Sequence, residues 1–255
     1  MRRLRQIQLA VALGWVFVIG SVAWAGDTVR PIDSCGHLQS DDRAVYIVTR
    51  NIFSQGQDCL IIESSHVTLD LNGFIVWGQG SGVGISASAP VEGITIKNGI
   101  VQGFSVGISL GGSGNVVENV HIDNHTDTGM ILGAGSLADH VVAQGNQANG
   151  IIMSSAATIR DSSLRNNGNS PSSVGLSVGS GSTVTSNTIW GSIGTGLFAS
   201  LGSTVIGNTV SATEPGVGMS IICPSGVHNN TATANTTGNL FLSNSLCVLS
   251  NNVAP

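Results

Sequence analysis

One short pattern recurs along most of this chain: an apolar residue, a polar or small residue two places on, and a second apolar residue five places on. It begins at Leu71, Ile96, Val117, Val142, Ile159, Val184, Val205, Val227 and Val248, at intervals of 25, 21, 25, 17, 25, 21, 22 and 21 residues that average 22.1. Its clearest copies are Val117 to Ile122, Val184 to Ile189 and Val205 to Val210. A period in this range is the mark of a repeat architecture, in which each unit buries its apolar face only against its neighbours.

A second column runs alongside the first. Glycine followed by an apolar residue occurs at Gly84, Gly107, Gly129, Gly150, Gly175, Gly196 and Gly218, and Asn239 takes the next place. Glycine and asparagine are the residues that most readily adopt positive φ, so this column predicts a left-handed corner before each strand.

Between the corners the apolar residues are aliphatic or β-branched, in runs too short for helices, and separated by Gly, Ser, Asn and Thr. From Gly26 onward no helical periodicity is sustained, which removes βαβ folds. Parallel strands without crossover helices require the chain to coil like a spring, advancing by about 4.8 Å per coil. Nine coils then make an all-β solenoid on the order of 40 Å long. Positions 0 and +5 of the pattern point inward and stack. Position +2 (Asn98, Asn119, Gln144, Asp161, Ser186, Gly207, Asn229, Ser250) reads as a column of turn residues, with a partial Asn ladder among them.

The segments Val67-Thr-Leu-Asp-Leu-Asn-Gly73, Gly84-Ile85 and Ile94-Thr-Ile-Lys-Asn-Gly99, with the repeats after them, resemble the right-handed parallel β-helix repeat family of the pectate-lyase-like superfamily. The resemblance covers residues 67–255. It implies the right hand of the winding and an elongated polymer bound along one face, since family members include polysaccharide lyases, hydrolases and epimerases.

Three arginines near the N-terminus, an uncharged stretch, and Ala23-Trp24-Ala25 read as a secretory signal over residues 1–25. Residues 26–66 are then expected to form an N-terminal cap, and 67–255 the β-helix. Removing the signal takes away three of the nine basic residues against 14 acidic ones, so the exported chain is acidic, which argues against nucleic acid as a partner. Beyond residue 25 no apolar run is long enough to span a bilayer. The expected location is periplasmic or extracellular. Cys35, Cys59, Cys223 and Cys247 allow three disulfide connectivities; each neighbouring pair is 24 residues apart, about one coil, so each can bridge adjacent turns.

Only 9% of the residues are charged, and after Asn166 the one formally charged side chain is Glu214, which leaves acid–base chemistry to the middle coils. There His121, Asp123 and His125 alternate along one segment, and Arg160 and Arg165 follow in later coils. Because Ile122 points inward, His121 and Asp123 point outward together. Imidazole plus carboxylate suits proton transfer or a divalent metal, and Arg suits the carboxylate of an acidic sugar. These five are the candidate catalytic residues. Lys97 falls in register with Glu118, which suggests a cross-coil ion pair.

Val120-His-Ile-Asp123-Asn-His125 resembles the segment that carries a calcium-binding Asp in pectate lyases, which makes Ca2+ the cofactor to look for. His stands where that family has Trp, an Asn is inserted, and the Arg-x-Pro-x-x-Arg segment is absent. The polygalacturonase motifs are absent too. Two readings follow: an exported protein that binds and modifies a polysaccharide along its outer face, or a non-enzymatic structural or adhesive rod. Platforms for sugar stacking are few, with Trp77 and Trp190 the only tryptophans beyond residue 25.

Overall fold

The computed structural model describes residues 29–39, 43–87 and 91–255; the proposed signal over 1–25 lies outside them. Among the described residues there is no helix. Every strand pairing is parallel, and successive coils stack in two sheets of 18 and 10 strands. The fold is a right-handed parallel β-helix. The smaller sheet takes one strand from each coil, from Gly36–Leu38 to Gly238–Leu242, so there are ten coils, one more than the repeat count suggests. The additional winding lies in the stretch expected to form a cap: from Val29 onward it is already in register, Val29–Ile32 pairing with Val45–Val48 and Gly36–Leu38 with Leu60–Ile62.

Single residues at positive φ turn the chain three times per coil. They are Gly114, Asn119 and Asn124 in one coil, Gly135, His140 and Gly145 in the next, then Ala156, Asp161 and Asn166. One left-handed residue per corner bends the strand sharply without a loop, giving three short sides. The middle corner falls on the +2 column at Asn98, Asn119, Asp161, Ser186, Gly207 and Asn229, as its Asn, Asp, Ser and Gly content predicts, but on His140 and Asn251 where the column has Gln144 and Ser250.

The Gly-apolar column is a different device from the one expected. None of Gly84, Gly107, Gly129, Gly150, Gly175, Gly196 or Gly218 has positive φ. A Cβ on Gly107 would lie 2.5 Å from the Gly129 carbonyl oxygen, on Gly129 2.6 Å from that of Gly150, and on Gly150 2.3 Å from that of Gly175. The column is glycine because each coil's backbone presses on the next, and the corners lie elsewhere.

Inside, the stacking is as the pattern predicts: Ile96, Val101, Val117, Ile122, Ile159, Leu164, Val184, Ile189, Val205 and Val210 are fully buried. Burying each such side chain contributes roughly 1.5–3 kcal/mol. Three repeat copies are displaced from their expected starts. Val117 is opposite Ala138, with Ala143 opposite Ile122, so Val142 aligns with His121 and not with Val117. Likewise Leu69 stacks on Ile96, and Leu249 on Val227. Alanines at the two inward positions of one coil conceal an even spacing.

The Asn ladder is real but is built from the residue after each middle corner, following Ser186, Gly207, Asn229 and Asn251. Asn187, Asn208, Asn230 and Asn252 are stacked, each Oδ1 accepting the backbone N–H and a side-chain N–H of the Asn before it, at 2.9–3.1 Å. These bonds satisfy turn amides that the winding would otherwise bury unpaired. Two disulfides, Cys35–Cys59 and Cys223–Cys247, bridge adjacent coils near the two ends.

Candidate functional site

Strand Val116–Asp123 carries the centre of the candidate site. It bends at Asn119, where φ is 54°, so residues before and after that corner lie on adjacent sides of the coil. Beyond the corner Val120 and Ile122 are buried, and His121 and Asp123 face outward.

Register extends this side in both directions. Asp123 is opposite Gln102 and Gln144; Gln102 is opposite Trp77, Gln144 opposite Arg165, and Arg165 opposite Trp190. These six residues therefore form one outward column. Trp77 is 40% exposed and rests against Phe53, ring centroids 4.1 Å apart; Trp190 is 48% exposed. Arg165 hydrogen-bonds Ser163 Oγ at 3.0 Å and has no carboxylate partner among the described residues. Asp123 is half-buried, and its Oδ1 is closed off from solvent with no hydrogen-bond partner. Burial pushes its carboxyl above the ordinary Asp range, with the nearby His121 partly opposing the shift.

Of the five candidates, the fold thus brings His121, Asp123 and Arg165 to one side and separates the other two. His125 is completely buried. It belongs to a second stack of turn side chains: Nδ1 accepts the Phe104 N–H at 3.1 Å, Nε2 bonds the Val101 carbonyl at 3.2 Å, and its own N–H goes to Asn146 Oδ1 at 3.1 Å. Having no outward face, it takes no part in surface chemistry. Desolvation lowers its pKa to about 4, so the ring is neutral at pH 7.

Arg160 stands before the corner, in the column Asp70, Lys97, Glu118, Asp139, Arg160. It donates to Asp139 Oδ2 at 2.6 Å, and His140 Nδ1 lies 2.7 Å from Oδ1. Burial alone would raise the Asp139 carboxyl, but hydrogen bonds from Arg160 and His140 outweigh it and hold the group below the usual range. In the same column Lys97 pairs with Asp70 at 3.8 Å, and not with Glu118 as its register suggests.

Asp139, His140 and Asp161 place one potential ligand atom each within 4.8 Å of one another. They fit a divalent cation poorly. Both Asp139 oxygens are already engaged, and the Arg160 guanidinium occupies the position where it would repel an ion. Among the described residues Asp123 belongs to no such group, so the calcium suggested by its segment finds no donor set there.

Trp77, Gln102, Gln144 and Trp190 join Asp123 in this column without being marked by the repeat pattern. The signal was present: each is the residue after an inward one, following Val76, Val101, Ala143 and Ile189. Ala143 interrupted the pattern that would have shown it.

No protein-family model matches the chain, and no curated protein matches it significantly in sequence. Solved structures share its fold. The enzymatically active domain of tailspike protein 2 from bacteriophage CBA120 superimposes with a TM-score of 0.65 at 10% identity, over 87% of this chain and 43% of that one. The Dettilon tailspike protein gives 0.59 at 14% identity, over 89% and 58%. The A-module of the Azotobacter vinelandii mannuronan C-5 epimerase AlgE4 gives 0.54 at 10% identity, over 89% of each chain. The chain spans about half the length of the two tailspikes. At these identities the likeness is one of fold.

Proposed function

We propose that this chain is an exported β-helix protein that binds a polysaccharide along the side carrying His121, Asp123 and Arg165. The observation that carries this reading is the register that aligns Asp123 with Arg165 two coils away, with His121 beside it and exposed indoles in the same column. A guanidinium without a carboxylate partner suits the carboxylate of an acidic sugar. An outward Asp with a raised pKa beside an imidazole can exchange a proton with bound sugar, so modification of the glycan belongs to the same proposal. The fold shared with a mannuronan C-5 epimerase module supports a carbohydrate polymer as ligand. Two disulfides suit an oxidising compartment, and the signal reading of residues 1–25 supplies the route.

Affinity electrophoresis of the purified protein through gels containing mannuronan, polygalacturonate, xylan or dextran tests the binding. We expect one polymer to retard it, and the H121A/D123A double variant to migrate freely while keeping its β-type circular dichroism. No retardation by any of the four, or unchanged retardation of the double variant, overturns the proposal.

A second reading, a non-enzymatic structural rod, is favoured by a different observation. The last coil exposes Phe241, Leu246, Val248 and Leu249, and no formal side-chain charge follows Glu214. Such a surface suits packing against a second copy. Light scattering that finds only monomers at high protein concentration removes this reading.

A further inference from the structure

We infer that the column from Trp77 to Trp190 is one continuous glycan track with an aromatic stacking platform at each end. This rests on the polysaccharide reading above and adds where, and over what length, the polymer lies. Five inter-coil steps separate the two tryptophans, so at about 4.8 Å per step they stand on the order of 24 Å apart along the axis. Between them the column presents Gln102, Asp123, Gln144 and Arg165. Neither glutamine amide has a hydrogen-bond partner among the described residues.

This alternation selects the ligand class. Indole faces offer wide apolar area that packs against the C–H face of a sugar ring, while amide, carboxyl and guanidinium groups bond hydroxyls and carboxylates. A lipid surface would need an unbroken apolar face, and four polar residues interrupt this one. Single-stranded nucleic acid also stacks on aromatics, but it requires a positively charged groove. Here Arg165 is matched by Asp123 within a chain of formal charge −5. Because successive coils repeat the same outward position, the groups lie in a straight line along the axis, and a polymer extended parallel to the axis meets all of them.

The four tryptophans of the chain permit a direct test. In a full-length background carrying Trp15→Phe and Trp24→Phe, a further Trp77→Phe leaves Trp190 as sole reporter, and a further Trp190→Phe leaves Trp77. Each is titrated with the polymer that retards the protein among the four above, and with its trisaccharide, while acrylamide quenching is followed. We expect the polymer to shield both indoles with the same midpoint, and the trisaccharide, too short to reach from one to the other, to bind at least tenfold more weakly. Trp77→Ala and Trp190→Ala should each lower polymer affinity roughly three- to tenfold. The conservative Phe variants keep the test valid should an Ala variant misfold. Polymer binding that shields one tryptophan or neither overturns the track while leaving the proposed function standing. Failure of all four polymers to bind overturns both.

Discussion

His125 Nδ1 accepts the backbone N–H of Phe104, 21 residues earlier, at 3.1 Å, just as Asn146 Oδ1 accepts that of His125. The correspondence extends to the donors: His125 Nε2 reaches the carbonyl of Val101 and Asn146 Nδ2 that of Ile122, each 24 residues back. A ring nitrogen that accepts an N–H carries no proton, so the hydrogen must be on Nε2. His125 is an imidazole serving as the first rung of an amide ladder that continues through Asn146 and Asn167.

His125→Asn should therefore leave the urea midpoint little changed, whereas His125→Ala leaves the buried Phe104 N–H unpaired and should cost about 1–3 kcal/mol. The pH dependence follows from the pKa of about 4 in the folded state, against about 6.5 when unfolded. Between these values the unfolded chain binds the extra proton, so this stability is complete above pH 6.5 and declines as pH falls towards 4, by up to about 1.4 kcal/mol per unit. Urea unfolding across this window should show the decline in the native chain and a flatter profile in His125→Asn.

The backbone-contact glycines predict a second asymmetry. Gly150→Ala drives a Cβ to 2.3 Å from the Gly175 carbonyl oxygen, while an Ala at Gly111 meets nothing within 4 Å. Thermal unfolding should show Gly150→Ala losing about 1–3 kcal/mol or more, and Gly111→Ala staying within about 0.5 kcal/mol.

Replacing Cys223 and Cys247 together by Ser opens a cross-link between residues 24 apart and should cost about 3 kcal/mol on the chain-entropy account. Because each coil touches only its neighbours, the loss should be local. Hydrogen exchange should quicken in Gly226–His228 and Gly238–Leu242 and remain unchanged in Val116–Asp123.

Asp123 combines an outward position with a desolvated carboxyl whose Oδ1 has no hydrogen-bond partner. Its folded pKa is raised chiefly by burial, so the charged form is penalised at pH 7, and the penalty disappears once pH falls below the unfolded value near 3.9. Asp123→Asn should raise the melting temperature at pH 7 by a few degrees and leave it unchanged at pH 3, while weakening polysaccharide binding.

The two arginines separate cleanly. Arg165→Ala should lower polymer affinity roughly tenfold, the loss of one charge-assisted contact. Arg160→Ala, on the adjacent side and tied to Asp139, should leave affinity within twofold and change stability little, as expected of an exposed ion pair.

How legible each part was depended on which way its residues face. Ile96, Val117, Ile159 and their stacked equivalents announced the coil because an inward position must be filled by an apolar side chain in every turn. Ala138 and Ala143 hid one coil because alanine meets that demand without marking it. His125 was misassigned because alternation along Val116–Asp123 was extended past its end, and the Asn124 corner turns the next side chain into the core. The glycine column was visible, but its cause was not: close approach of two backbones leaves the same residue type as a left-handed corner.

Periodicity alone determined that this chain winds into a parallel solenoid with aliphatics inside and cysteines positioned one coil apart, because burial acts on every turn alike. Only the folded register decided that Asp123 shares a column with Arg165 and two exposed indoles while Arg160 lies on the adjacent side. Outward positions face no common packing demand, and the length of each coil varies with its turns. Which of them become neighbours therefore depends on the accumulated register of all the coils between them.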